Sequence, residues 1–272
     1  MLKAQANINC FLVLYKSNAL NLWFHFKQYT LILILDIGNT AVKYAVYENL
    51  MCHHFGLVLP DYQESLRLLK SKYSIKKVFY SDVRGDFALH ITAIFPTEKT
   101  QNLHSENLVY PYQNAYKTPE TLGADRKALA AAAFFKYPNQ ACLIIDLGSC
   151  ITYDFIDQEA VYHGGAISPG IGMRYRALHA QTGKLPLLDP KPTSAVLGTT
   201  TTEAIHSGVY TGVLAEVSYQ IDFYKAINAQ LKVILTGGDH EWLSKSIKKP
   251  IFAEPNFLME GMHTLLQYKT NS

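Results

Sequence analysis

Charged residues, cysteines and the common catalytic signatures are all scarce in this chain, and each shortage excludes a class of function. Asp, Glu, Lys and Arg together make up 17% of the residues and the net charge is +3. No long basic run occurs; Lys76-Lys77 and Lys248-Lys249 are short pairs of the kind that sit solvated on a surface. The electrostatic footprint of a nucleic-acid binder is therefore missing. Four cysteines (Cys10, Cys52, Cys142 and Cys150) form no C-x-x-C pair, which removes zinc knuckles and dithiol redox sites. The set fits a reducing compartment, so a cytoplasmic protein is expected. Ten histidines include His53-His54 but no H-x-x-x-H or H-E-x-x-H spacing, and no Walker, G-x-G-x-x-G or G-x-S-x-G fingerprint is present. Nor does any apolar run reach the roughly 18 residues that a membrane span requires. The run over 10–15, behind Lys3, is broken by Lys16, Ser17 and Asn18, too early for a span or a secretory signal. Residues 1–30 are read as an extension outside the folded core.

What is present is apolar mass and a repeated motif. Hydrophobic residues account for 49% of 272, enough for one large or two medium domains with a substantial core. Leu31-Ile32-Leu33-Ile34-Leu35 runs into Asp36-Ile37-Gly38-Asn39-Thr40, and Ala141-Cys142-Leu143-Ile144-Ile145 runs into Asp146-Leu147-Gly148-Ser149-Cys150. A strand ending in Asp-x-Gly and a small hydroxylic residue makes a tight turn that bares backbone N–H groups, and glycine lets an anion approach them. One such turn is ordinary. Two of them, 110 positions apart, point to a duplicated phosphate grip in a two-lobed nucleotide-binding protein.

The remaining pattern agrees with such a duplication. Residues 31–47 read as two strands about a Gly38-Asn39 turn, 61–73 as a helix, 77–81 as a short strand, and 96–120, with three prolines, as mostly loop. Residues 124–136 are rich in strong helix formers. Strands at 141–145 and 151–156 then repeat the opening. A Gly/Pro-rich turn is expected over 164–172, followed by helices near 173–181 and 202–228, a strand at 232–235 and a terminal helix at 258–267. The order, strand-strand-helix repeated, argues for α/β architecture with a mixed sheet in each half, divided as 31–140 and 141–272.

Several side chains in this frame carry chemistry. Asp36 and Asp146 can hold a cation that neutralises phosphate oxygens, Thr40 and Ser149 can bond those oxygens, and Lys43 can add a point charge. Thr236-Gly237-Gly238-Asp239 supplies a third glycine turn after a strand. Gly123-Ala124-Asp125-Arg126 opens the alanine-rich helix, where an acid is favoured by the helix dipole. Asp125 is there either as a first-turn acid beside a surface arginine, or as a base for a hydroxyl proton, with Arg126 binding an anionic substrate group. Gly164-Gly165-Ala166-Ile167-Ser168-Pro169-Gly170 is either a pocket wall or a place of close packing.

In this order, these motifs closely resemble the type III pantothenate kinases, of the superfamily that also holds acetate and sugar kinases and actin. The matching pieces begin with the 36–40 turn and Lys43. Tyr116-Lys117-Thr118-Pro119-Glu120-Thr121-Leu122 leads into Gly123 to Arg126. Asp146 to Asp154, Gly164 to Gly170, Thr201-Thr202-Glu203-Ala204-Ile205 and the 236–239 turn complete the set. The resemblance implies two similar actin-like (ribonuclease H-like) lobes, each a mixed sheet flanked by helices, with the nucleotide cleft between them. It implies ATP-dependent phosphorylation of the pantothenate hydroxyl, the opening step of coenzyme A synthesis. It likens Asp36, Ile37, Gly38, Asn39, Thr40, Ala41, Val42 and Lys43 to the ATP phosphate site, and Ser149 to a further ATP contact. Asp125 resembles the family's proton acceptor. Gly123, Ala124, Asp125 and Arg126, with Tyr116 and Thr201, match its pantothenate pocket, and Asp146 matches the ligand of a potassium or ammonium ion. Magnesium and a homodimer are implied as well, with no nucleic-acid or membrane partner. Ser149 departs from the family's usual threonine but keeps the hydroxyl. Residues 1–30 have no counterpart. A different small hydroxy acceptor would sit poorly with Arg126 if it were a neutral sugar, and a binding module without catalysis would have no use for Asp125.

Overall fold

The computed structural model describes residues 31–96, 99–104 and 109–271; the extension expected over 1–30 lies outside them. Strands β1 (Leu31–Ile37), β2 (Val42–Glu48), β3 (Met51–Val58), β4 (Ile75–Asp82) and β5 (Thr100–Asn102) form one sheet in the order β3-β2-β1-β4-β5. Within it β1, β2 and β3 are antiparallel neighbours, whereas β4 and β5 run parallel to β1. The second sheet contains β7 (Cys142–Leu147), β8 (Cys150–Ile156), β9 (Val161–Pro169), β10 (Lys232–Thr236) and β11 (Phe252–Ala253), with β6 (Gln113–Asn114) added at its edge. Its order, β9-β8-β7-β10-β11, repeats the first, and so do its directions. The duplication inferred from two turns thus extends to whole sheets, as expected of two actin-like lobes.

Alternation along the strands sorts their side chains into three cores. Leu33, Leu35 and Ile37 point to the outer face of the first sheet, where Leu66 and Leu69 of α1 (Tyr62–Lys72) and Ile91 of α2 (Ala88–Thr92) cover them. Ile32 and Ile34 point inward, as do Cys142 and Ile144 of the second sheet. Between the sheets lie α3 (Ala124–Lys136) and the C-terminal α7 (Phe257–Asn271). Helix α3 packs on β7 and β8, whereas α7 reaches back to β1, β2 and β4. The outer face of the second sheet is covered by α4 (Ile171–Ala180), α5 (Thr201–Ile227) and α6 (His240–Ser244). Helix α5 buries Val209, Val213, Val217 and Ile221, spaced by four, and starts from a Thr200–Glu203 capping box.

Two segments differ from expectation. Residues 164–169, read as part of a turn, belong to β9. Gly165 is there because a Cβ would lie 1.7 Å from the Tyr153 carbonyl oxygen, so its role is close packing. Strand β3, which carries His53 and His54, leaves no strand signal in the sequence because it is an exposed edge, with almost no buried face to impose alternation. Cys142 is fully buried as expected, and the three described cysteines are free. Among the described residues, no helix is long and apolar enough to cross a membrane.

Candidate active site

The alternation that builds the inner core also aims the site. Asp36 shares the parity of Ile32 and Ile34, and Asp146 that of Cys142 and Ile144, so both carboxylates leave their strand ends toward the space between the sheets. Lys43 is the β2 register partner of Asp36 and follows the parity of the inward Ala45 and Tyr47. The turns that follow β1 and β7 close with Gly38 N–H donating to the Ala41 carbonyl (3.1 Å) and Gly148 N–H to the Cys150 carbonyl (3.0 Å). Across the gap, the Thr40 and Ser149 hydroxyl oxygens lie 2.8 Å apart in a hydrogen bond. The two phosphate-type turns, 110 positions apart in sequence, therefore meet. Ile37 and Val42 are buried beneath the first turn.

Electrostatics bind the rest of the set together. Burial pushes the Asp36 carboxyl up to about 6; Lys43 pulls against that and Asp125 adds to it. Burial pushes Asp146 up to about 7, again opposed by Lys43 and reinforced by Asp125 and Asp36. Asp239, at the end of the third glycine turn, is also raised by burial and lowered by Lys43. Three strand-end or turn carboxylates thus share one lysine. Gly237, at φ +92°, is obligatory there: a Cβ would stand 2.4 Å from Asp146 Oδ1. Ser81, beside Asp36 in β4 and almost fully buried, bonds His104 at 3.2 Å. Nothing in the sequence motif marks that pair, since parallel pairing across 45 positions is what brings Ser81 to Asp36.

Asp125 sits in the first turn of α3, whose N-cap, Gly123, offers no side-chain cap. Asp125 Oδ1 accepts the Arg126 N–H at 2.8 Å, and a Cβ on Gly123 would fall 2.4 Å from that same oxygen. Arg126 is not the surface residue of the simpler reading. It is 4% exposed, and its Nε donates to Asp154 Oδ1 at 2.8 Å. Asp154 is fully buried and also accepts the Tyr162 hydroxyl (2.6 Å) and the Thr152 hydroxyl (3.0 Å). The Tyr116 ring lies 5.7 Å from the guanidinium carbon and rests against Gly164, which has φ +89°. Ala124 is buried beside them. Thr201 stands apart: it begins α5 on the outer side of the second sheet, exposed, and no hydrogen bond or ion pair joins it to Tyr116, Asp125 or Arg126.

Could these residues receive cations? Among the described residues, no three His, Cys, Asp or Glu side chains cluster as a metal cage. Asp36 and Asp146 are instead half-buried acids near one lysine, and the cradle beside Asp146 exists only because Gly237 lacks a Cβ. That donor set fits an ion held by one or two carboxylates with phosphate and backbone oxygens completing its shell.

Doubled sheets whose carboxylate-bearing turns meet, with an acid at a helix start beside them, define a two-lobed α/β phosphotransferase. The type III pantothenate kinase family model matches residues 32–222. A type III pantothenate kinase of Flavobacterium johnsoniae is 40% identical over 245 residues, covering 89% of this chain and 100% of that protein. One from Bacteroides fragilis is 35% identical, covering 87% and 97%. This chain belongs to the type III pantothenate kinase family, which phosphorylates pantothenate in the first step of coenzyme A biosynthesis. Among solved structures, a conserved Campylobacter jejuni protein assigned to the Baf family of transcriptional activators superposes with a TM-score of 0.59 at 20% identity. That alignment covers 88% of this chain and 100% of the other, and the likeness is one of fold.

Proposed function

We propose that the cleft binds ATP through the 36–43 turn and Ser149, and that Asp125 accepts the proton of the pantothenate hydroxyl as phosphate is transferred in line. The observation that carries this reading is the contact between the two turns, with Asp36, Asp146 and Asp125 within electrostatic reach of one another. In this reading the backbone N–H groups of the first turn and the Lys43 ammonium bind the polyphosphate. Asp146 is the residue to hold potassium or ammonium, and Asp36 the one to support magnesium directly or through water. When bound, these cations supply charge neutralisation on phosphate oxygens. Asp125 needs to be only a weak base, because phosphoryl transfer is loose and demands little proton removal early. Arg126, with Gly123, Ala124 and Tyr116, forms the acceptor side, its guanidinium answering the pantothenate carboxylate.

A homodimer is part of the same proposal. Tyr219, Phe223 and Ile227 form an exposed apolar stripe on α5, spaced by four and opposite its buried face. Thr201 lies on that helix, away from its own chain's acceptor residues, so the pocket it lines is that of a second copy.

Purified protein is expected to release ADP from ATP only with pantothenate present, faster with potassium or ammonium than with sodium. Folded protein that shows no such turnover refutes the reading. Asp125→Asn should lower kcat by roughly 10²–10⁴ while the ATP dissociation constant moves less than about twofold. Retained turnover would remove Asp125 from the base role.

A further inference from the structure

Asp154 itself is unused by the chemistry just described, although it is fully buried. Its two carboxylate oxygens accept three donors: Arg126 Nε at 2.8 Å, the Tyr162 hydroxyl at 2.6 Å and the Thr152 hydroxyl at 3.0 Å. Asp154 and Thr152 come from β8 and Tyr162 from β9, two paired strands of a sheet, so the carboxylate is fixed by backbone that cannot easily shift. Arg126 comes from the helix that carries Asp125 one position earlier. The guanidinium is held by Asp154 at Nε and is further stabilised by the Tyr116 side chain. Nη2 is buried and has no hydrogen-bond partner, although it belongs to a side chain held by its neighbours. An orphaned donor on a fixed, fully charged group costs stability in the free protein. A bound oxyanion would repair it, and guanidinium is the side chain best shaped to receive a carboxylate.

We infer that Asp154 is a positioning residue for acceptor binding, holding Arg126 by Nε so that Nη2 stays free to receive the carboxylate of the incoming acid. The inference rests on the acceptor assignment above and extends it to a residue that never touches substrate. Tyr162 and Thr152 serve the same end by filling the remaining lone pairs of Asp154, which keeps its carboxylate from turning away from Arg126. The Tyr116 ring, seated on Gly164, lies 5.7 Å from the guanidinium carbon. Because Arg126 and Asp125 are consecutive on one helix, fixing the guanidinium also fixes where the acceptor's hydroxyl falls relative to the base.

A purely structural role for Asp154 predicts a uniform loss, and a positioning role predicts a selective one. The test compares wild type with Asp154→Asn and with the milder Tyr162→Phe, using pantothenate and its neutral alcohol analogue, in which the carboxyl is reduced. Binding of each is measured by calorimetry and ATP turnover by ADP release. For Asp154→Asn, the dissociation constant and KM for pantothenate should rise tenfold or more. Those for ATP should stay within about twofold, and the neutral analogue's dissociation constant within about threefold. Tyr162→Phe should show the same pattern at smaller size, which keeps the question answerable if Asp154→Asn does not fold. Equal losses for the charged and neutral acceptors, or a parallel loss of ATP affinity, overturn the inference. Wild-type protein that fails to phosphorylate pantothenate at all would instead overturn the acceptor assignment on which it rests.

Discussion

Asp36 and Asp146 show how much a residue's position in a strand decides its chemistry. Each ends an apolar run, and each takes its direction from the period of two that buries its neighbours. The same burial raises their carboxyls to about 6 and about 7, above the 3.8 of an unperturbed aspartate. A folded-state pKa above the unfolded value means that the folded protein binds more protons in the intervening range. The stability these two groups contribute is therefore complete below the unfolded value and is lost as pH rises through 6 and 7. Ligand-free protein should melt at a higher temperature at pH 5 than at pH 8, with Asp146 accounting for on the order of 2 kcal/mol of the difference. Asp146→Asn should melt higher than wild type at pH 8 and lose much of the pH dependence. An unchanged profile in scanning calorimetry would show that the burial of Asp146 is not felt by the folded state. The cation binding proposed for Asp146 should run the other way, weakening below pH 7 as protons compete for the same oxygen. The two strand-end acids could be found from sequence because their motif is local. The burial of Arg126 could not, because its partner Asp154 stands 28 positions away on another element.

At the scale of elements, what was legible followed how strongly each segment's surroundings shape its pattern. Helix α3 was found at its observed bounds because alanine-rich composition and burial agree over its whole length. Strand β9 was missed because its glycines read as a turn, while their cause is a tertiary one, the backbone of β8 passing too close for a side chain. The crossing of α3 and α7 has the same origin. Gly261 of α7 faces Ala128 of α3, and a Cβ on Gly261 would lie 2.0 Å from the Ala128 carbonyl oxygen. Alanine is a better helix former than glycine by about 1 kcal/mol, so Gly261→Ala would stabilise an isolated helix. Here the clash should dominate, with a net loss of about 1–3 kcal/mol. Denaturant unfolding should show a lower midpoint with an unchanged slope; a higher midpoint would mean that the helices separate at little cost. Since α3 carries Asp125 and α7 packs on the sheet that carries Asp36, forcing the crossing apart should also lower kcat.

The whole molecule is two copies of one topology whose outward faces are covered by helices and whose inward faces share α3 and α7. That exchange, with α3 on the second sheet and α7 on the first, explains why the residues of the candidate site come from distant parts of the chain. Thr201 lies on the outer side of the second sheet, away from the acceptor residues proposed above. The proposed dimer accounts for that placement, because the helix that begins at Thr201 also carries the exposed stripe of Tyr219, Phe223 and Ile227, which are 66%, 49% and 59% exposed. Phe223→Asp places a charge in the middle of the stripe at a position where it costs a monomer little. Sedimentation should find wild type near twice 30.6 kDa and the variant near that single mass. If Thr201 completes the acceptor pocket of the other copy, the monomeric variant should lose pantothenate affinity tenfold or more while ATP affinity stays within about twofold. A monomer that phosphorylates pantothenate as well as wild type would confine the whole site to one chain and remove Thr201 from it. A variant that remains dimeric would move the interface off α5.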